Sequence, residues 1–429
     1  MSKSFRRLWE AGKSLLILLL ALSALFLAGQ VFLTSGAAPV GLLSNAPGAS
    51  AAPSPELLGS VGVTRPVRMA VTNANGRYGV QYDDAAVDAL FDALGGLLGE
   101  ALGSAQEPVR TNRRDWEAAL QRRGVYYEFP GAVPLSLAAA WLSGGESASL
   151  LTAEASRLLL AQSERGDSVR LYYVDAADGS YYTCETVVLF LDLLDSYAPN
   201  GAIFAFLQPE RYGGLDPDTL ILSSPPAPPI YQAGDGPNLG DTTVRNTLLQ
   251  SLGFFPQSNA VYPTADGWSV RDGNDTLRLT SSGTVVYHAG GGEPRYPVPR
   301  DADRAELVEL TGELVWNAVA PYCGAGRVYL SGITQSRDAW TLTYSYTMSG
   351  AEVRLGQDGW CAQFTIYDGQ ITDYTLRLRR YSATEESAVL LPEYQAMAAM
   401  EAMEAGGRAL LLRYYDGGNG SVVPSWIAR

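Results

Sequence analysis

Side chains that carry chemistry are scarce in this chain of 429 residues, which has one histidine and three cysteines. A structural or catalytic zinc site draws on clustered Cys and His ligands, and His288 stands alone. A serine hydrolase triad would have to use that same imidazole, and no Gly-x-Ser-x-Gly motif accompanies it. A Ser-Lys mechanism would need a lysine in the body of the protein, but Lys3 and Lys13 are the only two and both precede residue 14. Cys184, Cys323 and Cys361 are odd in number and far apart, so they define no disulfide framework. Cys323 and Cys361 would pair if their strands abut; otherwise they are small buried hydrophobes. Cysteine catalysis would again have to recruit His288. Glycine loops that cradle phosphate are absent.

Acids are plentiful, 45 against 31 basic residues, for a formal charge of −14. Since the first thirteen residues are net positive, the rest is more acidic still. Such a body disfavours nucleic acid and the anionic face of a bilayer as partners. Paired carboxylates for sugar hydrolysis are defined by a distance, and no pair stands out in sequence. The acid-rich turns Asp235 to Asp241 and Asp272-Gly-Asn-Asp275 lack the alternating ligands and closing Glu of a calcium loop, and read as hairpin turns. The expectation is therefore no enzyme: no catalytic, cofactor-binding or metal residues, and no cofactor.

What the chain does have is a long apolar run, Ser14 to Thr34, interrupted by one amide, Gln30. As a helix it is long enough to cross about 30 Å of hydrocarbon. Lys3, Arg6, Arg7 and Lys13 flank it against the single acid Glu10, and a positive flank stays in the cytoplasm. The expectation is a single-pass membrane protein with residues 1–13 inside, 14–34 spanning, and the bulk extracytoplasmic. A cleaved export signal is the competing reading, with Ser35 to Ala38 as cleavage site, though signal apolar cores are shorter. Ala21, Ala24 and Ala28 share one face of the span and are the candidate contact face toward another transmembrane helix.

Composition, with 47% hydrophobic and 10% aromatic residues, predicts packed cores in the remainder. Residues 35–65, rich in Ala, Gly, Ser and Pro, read as a flexible linker. A first α+β domain is expected over 66–207. It opens with the strand VRMAVTN, then a helix capped by Asp83 or Asp84 with Val87, Leu90, Phe91, Leu94 and Leu98 at helical spacing. A second helix starts at Thr111 or Asn112 and stops at Gly124; a hairpin turns at Asp178-Gly179; the strand AIFAFL closes the domain. Residues 208–243, with SSPPAPP, read as a Pro/Gly-rich linker or surface arm unable to form an inner strand. A small helix-plus-meander domain is expected over 244–300. A C-terminal sheet domain follows over 301–429, with a helix capped by Asp301 and another carrying Tyr394, Met397, Met400 and Met403, whose Met stripe reads as core filler. The fold class is α+β: an N-terminal transmembrane helix followed by mixed helix and antiparallel-sheet domains.

Leu252-Gly-Phe-Phe255 and the following VRDGNDTLRLTSSGTVVY287 resemble the YycH family, in which a Phe after a short helix precedes an Asp-Gly turn, a Leu-containing strand and Gly-x-Val-x-Tyr. The layout agrees over most of the chain, from the basic N-terminus and single span through YEFPGAVPLSLAAAWL to the end. The last domain, with its helix before a final strand and its VVPSW ending, is also similar to the companion family YycI. The resemblance implies a membrane-anchored extracytoplasmic accessory protein that modulates a cell-wall-sensing histidine kinase, with that sensor kinase and a YycI-like companion as partners. It carries over no catalytic residue. The Pro-rich arm at Ser223 to Pro229 and the small-residue linker depart from the pattern. The rival expectation, from exposed aromatics among 24 tyrosines and 8 tryptophans, is a cell-envelope polymer-binding or assembly module without a kinase partner.

Overall fold

A computed structural model describes residues 65–143, 150–166, 168–190, 192–256, 260–402, 409–418 and 420–428. The apolar run 14–34, with Ala21, Ala24 and Ala28, lies outside the described residues, as does the linker to residue 64; among the described residues no helix is long and apolar enough to cross a membrane. The described fold is α+β, mixing helices with largely antiparallel sheets.

The first sheet is built from β1 (Arg68–Asn73), β2 (Gly76–Gln81), β3 (Val109–Thr111), β4 (Gly124–Pro134), β5 (Glu154–Gln162), β6 (Val169–Val174) and β7 (Tyr181–Glu185), in the order β2-β1-β4-β5-β6-β7-β3. Its strands read as almost unbroken apolar runs because both faces are buried. Met69, Val71, Val125, Tyr127, Leu158 and Leu160 face one core, where they meet α1 (Asp84–Ser104) and α3 (Leu135–Ser143). Ala70, Tyr126, Leu159, Ala161 and Tyr172 face a second, smaller core with Trp116 of α2 (Arg113–Leu120). Asp83 caps α1 and Asn112 caps α2. Gly124, expected to stop α2, instead opens β4: the helix ends at Leu120, and a Cβ at 124 would stand 2.2 Å from the Leu160 carbonyl oxygen. AIFAFL shortens to β8 (Ile203–Phe204), because Ala205–Leu207 turns into a 3-10 helix; β8 pairs β9 (Leu220–Ile221).

The Pro-rich stretch departs from expectation. After α4 (Pro209–Tyr212), β10 (Pro229–Asp235) is an inner strand, lying between β20 (Arg379–Ser387) and β22 (Ser421–Val422). Pro229 occupies its first position, and the register shifts between Pro229 and Tyr231, so the missing N–H falls where the ladder is already irregular.

After α5 (Thr242–Ser251) the meander β11 (Ala260–Thr264), β12 (Gly267–Asp272), β13 (Asp275–Thr280) and β14 (Thr284–His288) does not end as a separate sheet. β14 pairs β19 (Gln370–Arg377), so it continues into β18 (Ala362–Tyr367), β16 (Ala339–Met348), β17 (Ala351–Leu355), β21 (Leu410–Asp416) and β23 (Pro424–Ala428). β15 (Arg327–Ser336) pairs β16 as well. The helix α6 (Arg304–Ala318) packs on this sheet through Leu307, Val308 and Val315. Its cap is Asp303 rather than Asp301: the Asp303 side chain accepts from the Glu306 N–H and the Glu306 carboxylate accepts from the Asp303 N–H, each at 2.9 Å, a closed capping box. In α7 (Glu393–Ala402) Met397 is buried and Met400 packs against the core; Met403 lies outside the described residues. The two sheets meet at β4 and β15, where a Cβ on Gly131 would fall 2.1 Å from the Leu330 carbonyl oxygen, an approach only glycine permits.

Candidate functional site

Of the residues weighed for chemistry, Cys323 and Cys361 lie near enough to interact electrostatically, but no disulfide joins them. Cys184, Cys323 and Cys361 are free and buried. Burial pushes the Cys184 thiol up to about 12 and Cys323 to about 11, and raises Cys361 further, so none is a ready nucleophile. His288 sits on the exposed side of β14, its Nδ1 2.6 Å from Asp373 Oδ1 on β19. The acid-rich turns are spoken for: Asp241 caps α5, Asp235 pairs with Arg379, and Arg295 bridges Asp272 and Asp275. Among the described residues no three His, Cys, Asp or Glu side chains form a metal cage.

A charged crevice does form on the first sheet. Gln81, Arg68, Glu128 and Arg157 stand directly opposite one another on β2, β1, β4 and β5, one cross-strand row on the α2 face. Row neighbours of opposite sign attract. The Arg68 guanidinium donates to Glu128, Tyr126 Oη lies 3.3 Å from Glu128 Oε2, and Gln81 Nε2 donates to the Leu220 carbonyl at 3.2 Å. From the turn before β9, Asp216 and Asp218 accept from Arg157 Nη1 at 3.2 and 3.0 Å. Ala409, Leu410 and Leu411 at the start of β21 complete the walls of a space of about 30 Å³. Two guanidiniums thus face three carboxylates. Asp218 is 2% exposed; burial, opposed by Arg157 but reinforced by Glu128 and Asp216, pushes its carboxyl up to about 6. For Arg68 and Arg157 burial pulls the other way, and the surrounding acids and tyrosines outweigh it, holding both above the ordinary guanidinium value. Each acid is engaged by an arginine or a tyrosine, so the crevice acts as an ionic latch between the first sheet and the β9 turn, walled by the start of β21. Sequence reasoning missed it. Its signal is a charged residue inside an otherwise apolar strand, Arg68 in VRMAV and Arg157 in ASRLLLA.

A second concavity, of about 330 Å³, opens between hairpin tips of the C-terminal sheet. Val298, Leu307 and Ile366 are buried beneath it; Pro299, Trp340 and Tyr367 line it with Arg300, Asp338 and Asp368.

An α+β body of packed antiparallel sheets, with a buried ionic latch and an open groove, is the class of protein these features define. Compared with known proteins, the chain matches no family model and no curated sequence. Among solved structures it is similar to the crystal structure of YycH from Bacillus subtilis, with a TM-score of 0.53, 12% identity, and coverage of 85% of this chain and 96% of that chain. The chain has a YycH-like fold.

Proposed function

We propose that the protein is a membrane-anchored extracytoplasmic regulator that modulates a cell-wall-sensing histidine kinase through protein contacts and through its transmembrane helix, alongside a YycI-like companion. The observation that carries this reading is the extent of the fold likeness, which runs over nearly the whole length of the YycH chain. The basic tail and apolar run at 14–34 add the anchor, and the small-residue face Ala21, Ala24 and Ala28 adds a means of contact. A regulator of this kind biases its kinase only by binding two arrangements of it with different affinity.

The test is crosslinking of the intact protein in its own membrane, with identification of what is captured; a histidine kinase is the expected product. Ala24→Leu should weaken regulation at unchanged protein level and export. Capture of wall polymer with no kinase favours instead the polymer-binding module without a kinase partner, and wild-type signalling in that variant refutes the transmembrane-helix contact.

A further inference from the structure

We infer that the groove between the hairpin tips is a binding site for a short, uncharged oligosaccharide. It is preformed by backbone. Asp368 and Gly369 both take positive φ (47° and 75°), which makes the β18–β19 turn tight, and Arg337 at φ 53° does the same for the β15–β16 turn next to Asp338. The segment 296–302 is tied to the first tip by Val298 N–H donating to the Gly369 carbonyl at 2.8 Å and Ile371 N–H to the Tyr296 carbonyl at 3.1 Å, and then turns into the capped start of α6. Three walls are therefore fixed before any ligand arrives, which lowers the cost of binding. The volume falls at the lower end of small-molecule sites.

The chemistry of the walls selects the class. Tyr367 is 52% exposed and Trp340 is half-buried, two aromatic rings among Pro299 and aliphatic floor residues. Arg304 lies 5.6 Å from the Trp340 ring centroid and is itself paired with Glu154 at 2.6 Å, which orients the indole. Asp338 makes no hydrogen bond or ion pair among the described residues and offers an open acceptor at the mouth; Arg300 and Asp368, paired at 3.0 Å, offer donors and acceptors. Two carboxylates against one guanidinium repel an anionic ligand such as a phosphodiester polymer or a uronic acid. A peptide would be held by strand addition, but β16 and β18 each have strands on both sides and present no free edge. Ring faces for stacking, with hydroxyl partners at the rim, remain; that is how a neutral sugar is held.

The inference rests on the regulatory reading only for where the protein meets its ligand, and its test needs no kinase. Full-length protein in nanodiscs is titrated by calorimetry with fully N-acetylated, uncharged chitotriose, with trigalacturonic acid and trialanine as comparisons. Chitotriose should bind in roughly the 0.1–1 mM range and the acid and peptide not at all at about 10 mM. Trp340→Ala and Tyr367→Ala should each weaken chitotriose about tenfold, and Asp338→Ala, at an exposed position, about threefold. No chitotriose binding to the wild type, affinity unchanged in Tyr367→Ala and Asp338→Ala, or tighter binding of trialanine overturns the inference.

Discussion

The crevice on the first sheet and the groove at the tips of the second both carry arginines and aspartates, yet they use them differently. In the crevice Asp218 is almost wholly buried and Arg157 largely covered, with space for about a water molecule. In the groove the Arg300 and Asp368 side chains are 82% and 64% exposed. Buried ions cost several kcal/mol of desolvation that only a partner repays, whereas exposed pairs are worth about 0–1 kcal/mol. Similar residues therefore lock one region and leave the other available. The sharpest way to break this contrast is to delete one cation from the crevice. Arg157→Ala leaves Asp218 and Asp216 without their guanidinium and should destabilise the protein by about 3 kcal/mol in chemical denaturation. A loss under about 1 kcal/mol would mean that water already reaches Asp218.

Titration sharpens the same contrast. The folded-state value of Asp218, about 6, lies above the ordinary aspartate value of 3.8, so the folded state binds this proton more tightly than the unfolded state. Stability from this group therefore rises as pH falls through 6, opposite to the usual salt-bridged aspartate. Between pH 7.5 and 5 the gain should be about 1.4 kcal/mol, measured as the difference in pH dependence between wild type and Asp218→Asn. Equal pH profiles for the two proteins would show that the third carboxylate is not held uncompensated.

These two regions were also unequally legible in the sequence. Helix periodicity placed α1 from Val87 to Leu98, and Asp-Gly and Asn-Gly pairs placed the hairpins, because both signals are local. Of the groove's two tips, Asp368-Gly369 lies where turn chemistry predicts it, whereas the Arg337-Asp338 turn carries no glycine to mark it, and the meeting of the two is not predicted by either. The crevice joins Arg68 to Glu128, 60 positions on, and Arg157 to Asp218, 61 positions on, and register across four strands is fixed only once the sheet exists. The inner strand β10 was hidden for a different reason: proline rules count a lost ladder bond, and Pro229 sits at the one place in the strand where the ladder is broken anyway. Asp301 and Asp303 are equally good caps by residue type, and only Glu306, three residues beyond Asp303, separates them.

That capping box bears on how rigid the groove is. Asp303→Ala removes the acceptor for the Glu306 N–H and should cost about 1 kcal/mol of stability. It should also raise hydrogen exchange in residues 298–304, the wall nearest the helix start. Unchanged exchange there would mean the wall is held by the Val298 and Ile371 bonds alone.

The smallest expected effect tests the other half of the contrast. Arg300→Ala breaks an ion pair whose members are both mostly in water, and neither is desolvated by losing the other. Solvent screening leaves such a pair worth little, so the unfolding free energy from denaturant titration should move by less than about 0.5 kcal/mol, and added salt should shrink whatever difference from wild type there is. Because Arg300 also closes over Gly369, whose added Cβ would approach its Cγ at 3.5 Å, the variant opens the mouth of the groove without touching its floor. A destabilisation comparable to that of Arg157→Ala would show that the rim, like the crevice, is part of what holds the sheets together, and the two regions would then no longer divide into one that locks and one that stays open.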